Sequence, residues 1–163
     1  MTPVPQVAVV CGSRSDLPAL AGCFETLDRY GLTWEASVIS AHRQPAALAD
    51  YVRDAETRGI QIFVAAAGMA AHLPGVMAAM TPRPVIGIPL DAGALAGADA
   101  LYSVVQMPPG VPVATVAIGS AGAKNAAHLA ARILALADAD LAGRVDAVRA
   151  EMAGSAEVGI DPR

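Results

Sequence analysis

Ser40, Ala41, His42 and Arg43 bring a hydroxyl, an imidazole and a guanidinium into four consecutive positions. Arginine offers a phosphate a planar fork of donors, and a neighbouring serine adds one more. Histidine is the side chain best suited to moving a proton near neutral pH. A second cluster, Gly12-Ser13-Arg14-Ser15-Asp16, joins a glycine to two hydroxyls and a carboxylate. Placed at a helix start, its free N–H groups and the helix dipole favour an anion. Ser-x-x-Asp there also reads as a plain helix cap, and the two readings stand side by side. A third cluster, Ala67-Gly68-Met69-Ala70-Ala71-His72, sets small residues that allow close approach beside a histidine. That histidine reads either as a pocket group or as the cap of its own helix. None of the three is a Walker A sequence or a full GxGxxG, which disfavours nucleoside triphosphates and dinucleotides.

The rest of the inventory is sparse. The 163 residues hold three histidines, two cysteines and one lysine, Lys124, against ten arginines. Any Schiff-base chemistry would rest on Lys124 alone. Cys11 and Cys23 lack CxxC spacing and lie in apolar sequence, so they read as buried, reduced thiols of a cytoplasmic protein. With no Cys/His cluster, a dedicated metal site is not expected. His128, inside an alanine-rich segment, reads as packing or surface. A net charge of −4 without a basic run argues against nucleic acid as a partner.

Hydrophobic residues make up 55% of the chain and charged ones 16%, which at first suggests a membrane protein. Segments 59–82 and 100–123 carry no charge at all, and each is long enough on paper to span a bilayer. Pro74, Gly75, Pro108, Pro109 and Gly110 interrupt them, and such turns would leave backbone groups unsatisfied in lipid. Much of the hydrophobicity is alanine, 37 of 163 residues, which packs elements closely and drives insertion weakly. The opening MTPVPQ has neither a basic nor a long apolar region, so no signal peptide is expected. The expectation is one soluble domain over 1–163, with its core at about 6–150 and a loosely ordered tail over 154–163.

Hydrophobic periodicity supplies the elements that would position these groups. Short apolar runs predict strands at 6–11, 33–39, 61–66, 84–88 and 113–118. Helices are predicted from Ser15 or Asp16 to about 30, then at 45–58, 71–80, 99–105, 120–137 and 138–152. Alternating strands and helices imply a three-layer α/β/α sandwich on a parallel five-stranded sheet, flavodoxin-like or Rossmann-like. In such folds ligands bind beyond the carboxyl ends of the strands, at the switch in strand order. The three clusters follow the first, second and third predicted strands. The residues alone thus point to an α/β domain binding a small phosphorylated ligand, with one or two histidines carrying protons.

In that order the clusters resemble the PurE family of purine biosynthesis. The likeness runs through 67–75 (AGMAAHLPG), 101–108 (LYSVVQMP), 111–115 (VPVAT) and 122–126 (GAKNA), covering about residues 6–150. One branch of that family isomerises N5-carboxyaminoimidazole ribonucleotide; the other carboxylates aminoimidazole ribonucleotide directly with CO2. Arg43 after His42 and the run 70–75 resemble the first branch; the second typically has lysine after that histidine. The resemblance implies that Ser13, Ser40 and Arg43 hold a 5′-phosphate and Asp16 a ribose hydroxyl. It implies that Gly68, Ala70, Ala71, His72 and Leu73 wall the imidazole and carboxylate pocket, with His42 as general acid/base. It further implies enclosed CO2 as intermediate, no cofactor, and assembly as a homo-octamer. Two features depart from the pattern. Met69 stands where this branch often has glycine, and Pro89-Leu90-Asp91-Ala92-Gly93-Ala94 replaces a polar run, so Asp91 is expected to point away from the pocket. Outside the family, the remaining readings are a flavodoxin-like mononucleotide (FMN) module or a non-catalytic subunit.

Overall fold

A computed structural model describes residues 4–154. Beyond Gly154, the tail expected to be loosely ordered lies outside the described residues. Five parallel strands form one sheet: β1 (Val7–Cys11), β2 (Trp34–Val38), β3 (Ile62–Gly68), β4 (Val85–Leu90) and β5 (Ala114–Thr115), in the order β2-β1-β3-β4-β5. This is the flavodoxin-like order, with its switch point between β1 and β3. The helices are α1 (Ala21–Arg29), α2 (Pro45–Arg58), α3 (Leu73–Ala78), α4 (Ala98–Val105), α5 (Gly119–Leu134) and α6 (Ala139–Ala153).

Strand alternation divides the core into two apolar layers. Val7, Val9, Cys11, Ile62, Val64, Ala66, Ile86 and Ile88 face α1, α5 and α6, while Ala8, Val10, Phe63 and Ala65 face α2, α3 and α4. Both faces are covered, so the central strands β1, β3 and β4 read as continuous apolar runs instead of alternating ones. Alanine does the close packing: Ala123, Ala126, Ala127, Ala130 and Ala131 of α5 are all fully buried against α1 and the sheet. Among the described residues no helix is long and apolar enough to cross a membrane. Cys11 and Cys23 are free and buried, and burial pushes their thiols up to about 11 and about 12.

The differences from the predicted elements are local. Residues Arg14–Leu20 form a 3-10 segment with Pro18 inside it, and the α-helix starts only at Ala21. A proline there removes a donor that the α-helical ladder would need. β4 continues through Pro89 to Leu90, because β5 has already ended opposite Gly87 and the missing N–H faces no strand there. β5 itself is two residues long, shorter than the predicted 113–118. Its last rung is the bond from Val116 N to the Gly87 carbonyl, after which the chain turns into α5 at Gly119, whose φ is +70°.

Candidate functional site

The carboxyl ends of β1, β2 and β3 open into a cleft of about 450 Å³. Parallel register brings their three loops onto one rim, since Cys11 pairs with both Val38 and Ala66. Ser13, Asp16, Ser40, His42, Arg43, Gly68, Ala70, His72 and Leu73 all line it. Ala71 does not. Its side chain is fully buried in the layer under α2, α3 and α4, where it supports the loop from below.

The first loop is both a cap and a set of donors. Ser13 Oγ accepts from Ser15 N at 3.3 Å, and Asp16 Oδ2 accepts from Ser13 N at 2.9 Å, closing a capping box. Ser15 Oγ donates to Ser13 Oγ at 2.8 Å. With both acceptor sites of Ser13 Oγ engaged, its own hydrogen can only be donated. The cap therefore leaves the donor function of Ser13 intact.

The second loop is tied to the start of α2. Ser40 is buried; its N–H donates to Gln44 Oε1 at 3.2 Å, and its Oγ accepts from Arg43 N at 3.3 Å. Ser40 Oγ thus keeps its hydrogen for a ligand. One guanidinium nitrogen of Arg43 donates to the Gly12 carbonyl at 3.4 Å, linking the second loop to the first and leaving the rest of the fork exposed.

Between the second and third loops stand the two histidines. His42 Nε2 lies 2.5 Å from His72 Nδ1, with ring centroids 4.6 Å apart and planes at 75°. His72 occupies the N-cap position of α3 but makes no side-chain cap bond. Of its two sequence readings, the pocket group is the one the geometry shows. Both rings are exposed to the cleft.

Ala41, Ala67, Gly68, Met69, Ala70, Leu73 and Ala92 form the apolar wall. Gly68 is required by a contact that the sequence did not announce. A Cβ there would come 2.6 Å from the Ala92 Cβ, because the loop after β4 folds across the end of β3. Met69 has φ +54°, a left-handed conformation that glycine adopts without penalty and other residues adopt at a cost of about 1–2 kcal/mol. Asp91 is exposed and off the cleft, its carboxylate beside Gly119 at the first turn of α5, where the helix dipole favours a negative charge.

Sequence reasoning missed Ser15, Gln44 and Ala92. Ser15 and Gln44 lay inside or beside the clusters and act through Ser13 and Ser40. Ala92 carried no signal, since only the path of the fourth loop brings it to the cleft. Among the described residues no three His, Cys, Asp or Glu side chains gather into a metal-binding group.

Comparison with known proteins converges on one family. The family model for AIR carboxylase matches residues 6–155. The N5-carboxyaminoimidazole ribonucleotide mutase of Vibrio cholerae is 48% identical over 149 residues, covering 91% of this chain and 92% of the relative. The protein of that name from Saccharolobus solfataricus is 51% identical over 142 residues, covering 87% and 89%. Among solved structures, Treponema denticola PurE superimposes with a TM-score of 0.84 at 29% identity, covering 91% of this chain and 92% of that one.

Proposed function

The chain belongs to the AIR carboxylase family, and from that membership we propose that it interconverts N5-carboxyaminoimidazole ribonucleotide and 4-carboxyaminoimidazole ribonucleotide in purine biosynthesis, with His42 as general acid/base. The observation that carries this reading is the convergence of Ser13, Ser40, Arg43, His42 and His72 on one cleft with an alanine- and glycine-rich wall.

Ser13 and Ser40 each retain a hydroxyl hydrogen, and Arg43 presents the free part of its fork beside them. Together they suit a phosphate monoester. Asp16 Oδ2 is engaged by Ser13 N, so Oδ1 is the oxygen left to accept from a ribose hydroxyl. Leu73, Ala70, Ala92 and Gly68 then face the heterocycle and its carboxylate.

The substrate's N-carboxylate is a carbamate, and a proton delivered to its nitrogen breaks the N–C bond and releases CO2. In its acid form His42 carries hydrogen on both ring nitrogens. His72 Nδ1 accepts one of them across the 2.5 Å contact, and the other is available to the substrate nitrogen. The aminoimidazole left behind is an enamine whose C4 attacks the confined CO2, placing the carboxylate on carbon and a positive charge on the exocyclic nitrogen. His42, now neutral, removes the C4 proton, restores aromaticity and returns to its acid form. The cycle is proton-neutral and needs no redox partner. A positioned proton carrier contributes about 10² to 10⁴ in rate, and holding CO2 against the apolar wall supplies proximity.

A homo-octamer in the cytoplasm belongs to the same reading. Leu95, Tyr102 and Val105 are 62%, 67% and 50% exposed, the kind of apolar surface that a subunit contact covers. Sedimentation of the purified protein as a monomer would contradict it. The activity is tested by supplying N5-carboxyaminoimidazole ribonucleotide and following formation of the C4-carboxylated isomer. Rejection of that compound together with turnover of aminoimidazole ribonucleotide and CO2 would establish direct carboxylation instead.

A further inference from the structure

On the opposite helical layer, a second cavity of about 340 Å³ opens between α1, α5 and α6, and it shares no lining residue with the cleft described above. Asn125, His128, Leu129 and Arg132 of α5 line it from one side, Arg149 and Met152 of α6 from another, with Tyr30 and Val116 at its floor. Asn125, His128 and Arg132 are spaced at three, then four, residues and so share one face of α5.

The charged side chains lining this cavity are cationic. Tyr30 is buried, and its hydroxyl lies 2.8 Å from His128 Nδ1, the one acceptor it has among the described residues. With the hydroxyl donating to Nδ1, neutral His128 carries its hydrogen on Nε2, and the protonated ring carries one there whichever way this bond runs. Arg132 has no carboxylate partner among the described residues, and Arg149 reaches Asp146 only at 3.7 Å, with both side chains well exposed. Arg29 is paired with Glu151, and Arg144 donates to the Tyr30 carbonyl at 2.9 Å. Arg132 and Arg149 thus line the cavity with His128, and Arg29 stands near enough to act on it, while Glu151 and Asp146 are the carboxylates paired with Arg29 and Arg149, in a chain whose net charge is −4.

We propose that this cavity is a second anion site, taking a phosphate-bearing small molecule on the Asn125 amide, His128 Nε2–H and the Arg132 and Arg149 guanidiniums. Two arginines with forked donors match a phosphate better than a monovalent ion. The histidine reports occupancy, because burial, with Arg132 and Arg29 nearby, holds His128 below its ordinary value and a bound anion raises it.

The probe is radiolabelled inorganic phosphate, measured by equilibrium dialysis against the full chain at constant ionic strength. Two saturable phosphates per chain are expected. Arg132→Gln combined with Arg149→Gln should weaken one of them at least tenfold and leave turnover unchanged, while Arg43→Ala should remove the other. A single phosphate lost in the double variant and indifferent to Arg43→Ala would uphold this site and count against the phosphate role of Arg43. Binding indifferent to Arg132→Gln/Arg149→Gln would overturn the proposal. The unmodified protein gives an independent check: the NMR titration midpoint of His128 should rise with phosphate, and a midpoint unmoved at saturating phosphate would overturn it too.

Discussion

His42 Nε2 and His72 Nδ1 face each other at 2.5 Å, although thirty positions separate the residues in the chain. Only one hydrogen fits between the two nitrogens, so the rings share a single proton position and each fixes the other's tautomer. In the proposed reaction this contact suits His72 to position His42. His42→Asn is expected to lower kcat by about 10² to 10⁴. His72→Asn should lower kcat less, leave KM for the nucleotide within a few-fold, and displace the pH–rate profile. Steady-state kinetics across pH on both variants checks this, and an unaltered profile for His72→Asn would remove its assigned role.

Gly68→Ala tests whether the fourth loop belongs to the site. The new Cβ would sit 2.6 Å from the Ala92 Cβ, and no rotamer relieves a methyl-to-methyl overlap. Either β3 or the 91–97 loop must move, at a cost of about 1–3 kcal/mol. The expected result is a fall in kcat/KM of tenfold or more along with lower stability. Gly12→Ala, where the nearest atom to a new Cβ is Asp16 Oδ2 at 3.8 Å, should leave stability within about 0.5 kcal/mol of wild type. Thermal melts of the two variants side by side decide it.

The layers and loop clusters were legible in sequence because each depends on local pattern. β1, β3 and β4 are apolar runs ended by Gly or turn residues, and a buried parallel strand has no other appearance. The cleft followed from chain order, since loops after successive parallel strands emerge at one end of the sheet. What stayed hidden depends on contacts between distant segments. The His42–His72 pair needs the register of β1, β2 and β3 to bring two loops together. The placement of Ala92 needs a loop held by left-handed Gly93, Ala96 and Gly97. The 3-10 segment at Arg14–Leu20 escaped because its capping signature is the same one that opens an α-helix.

Two helical glycines give different expectations. Gly22 of α1 faces Lys124, and an added Cβ would meet the Lys124 Cγ and Cε at 2.8 Å, so this exposed side chain must turn from its root to make room. In Gly22→Ala the helix-propensity gain of about 1 kcal/mol is offset by that rearrangement, so stability should stay within about 1 kcal/mol of wild type. Gly122 of α5 is buried, and a Cβ there would overlap the Ala117 carbonyl oxygen in the turn that follows β5. Gly122→Ala should destabilise by about 3 kcal/mol or more, because backbone has to yield. Urea denaturation of both variants reads the contrast, and similar midpoints would show that the α5 entry is looser than described.

Glu35 on β2 is held by three donors: Arg58 bidentately at 2.7 Å and 2.7 Å, and the Tyr51 hydroxyl at 2.7 Å. The Arg58 bonds lead in holding its carboxyl below the usual value, against the opposing effect of burial. A carboxyl lowered on folding contributes stability that is fully present above its unfolded value of about 4.5 and is lost as pH falls through the folded value. Glu35 and Arg58 side chains are 25% and 35% exposed, so solvent screening limits the contribution to about 1 kcal/mol. Glu35→Gln should accordingly lower stability at pH 7 by that amount and flatten the acid limb of the stability curve below about pH 4.5. The deficit should close as pH drops, since the wild-type carboxyl then takes up the proton that ends its advantage. Melting temperatures of wild type and variant between pH 3 and 7 measure it, and a deficit that persisted at pH 3 would show that the bonds, not the charge, are what Glu35 supplies.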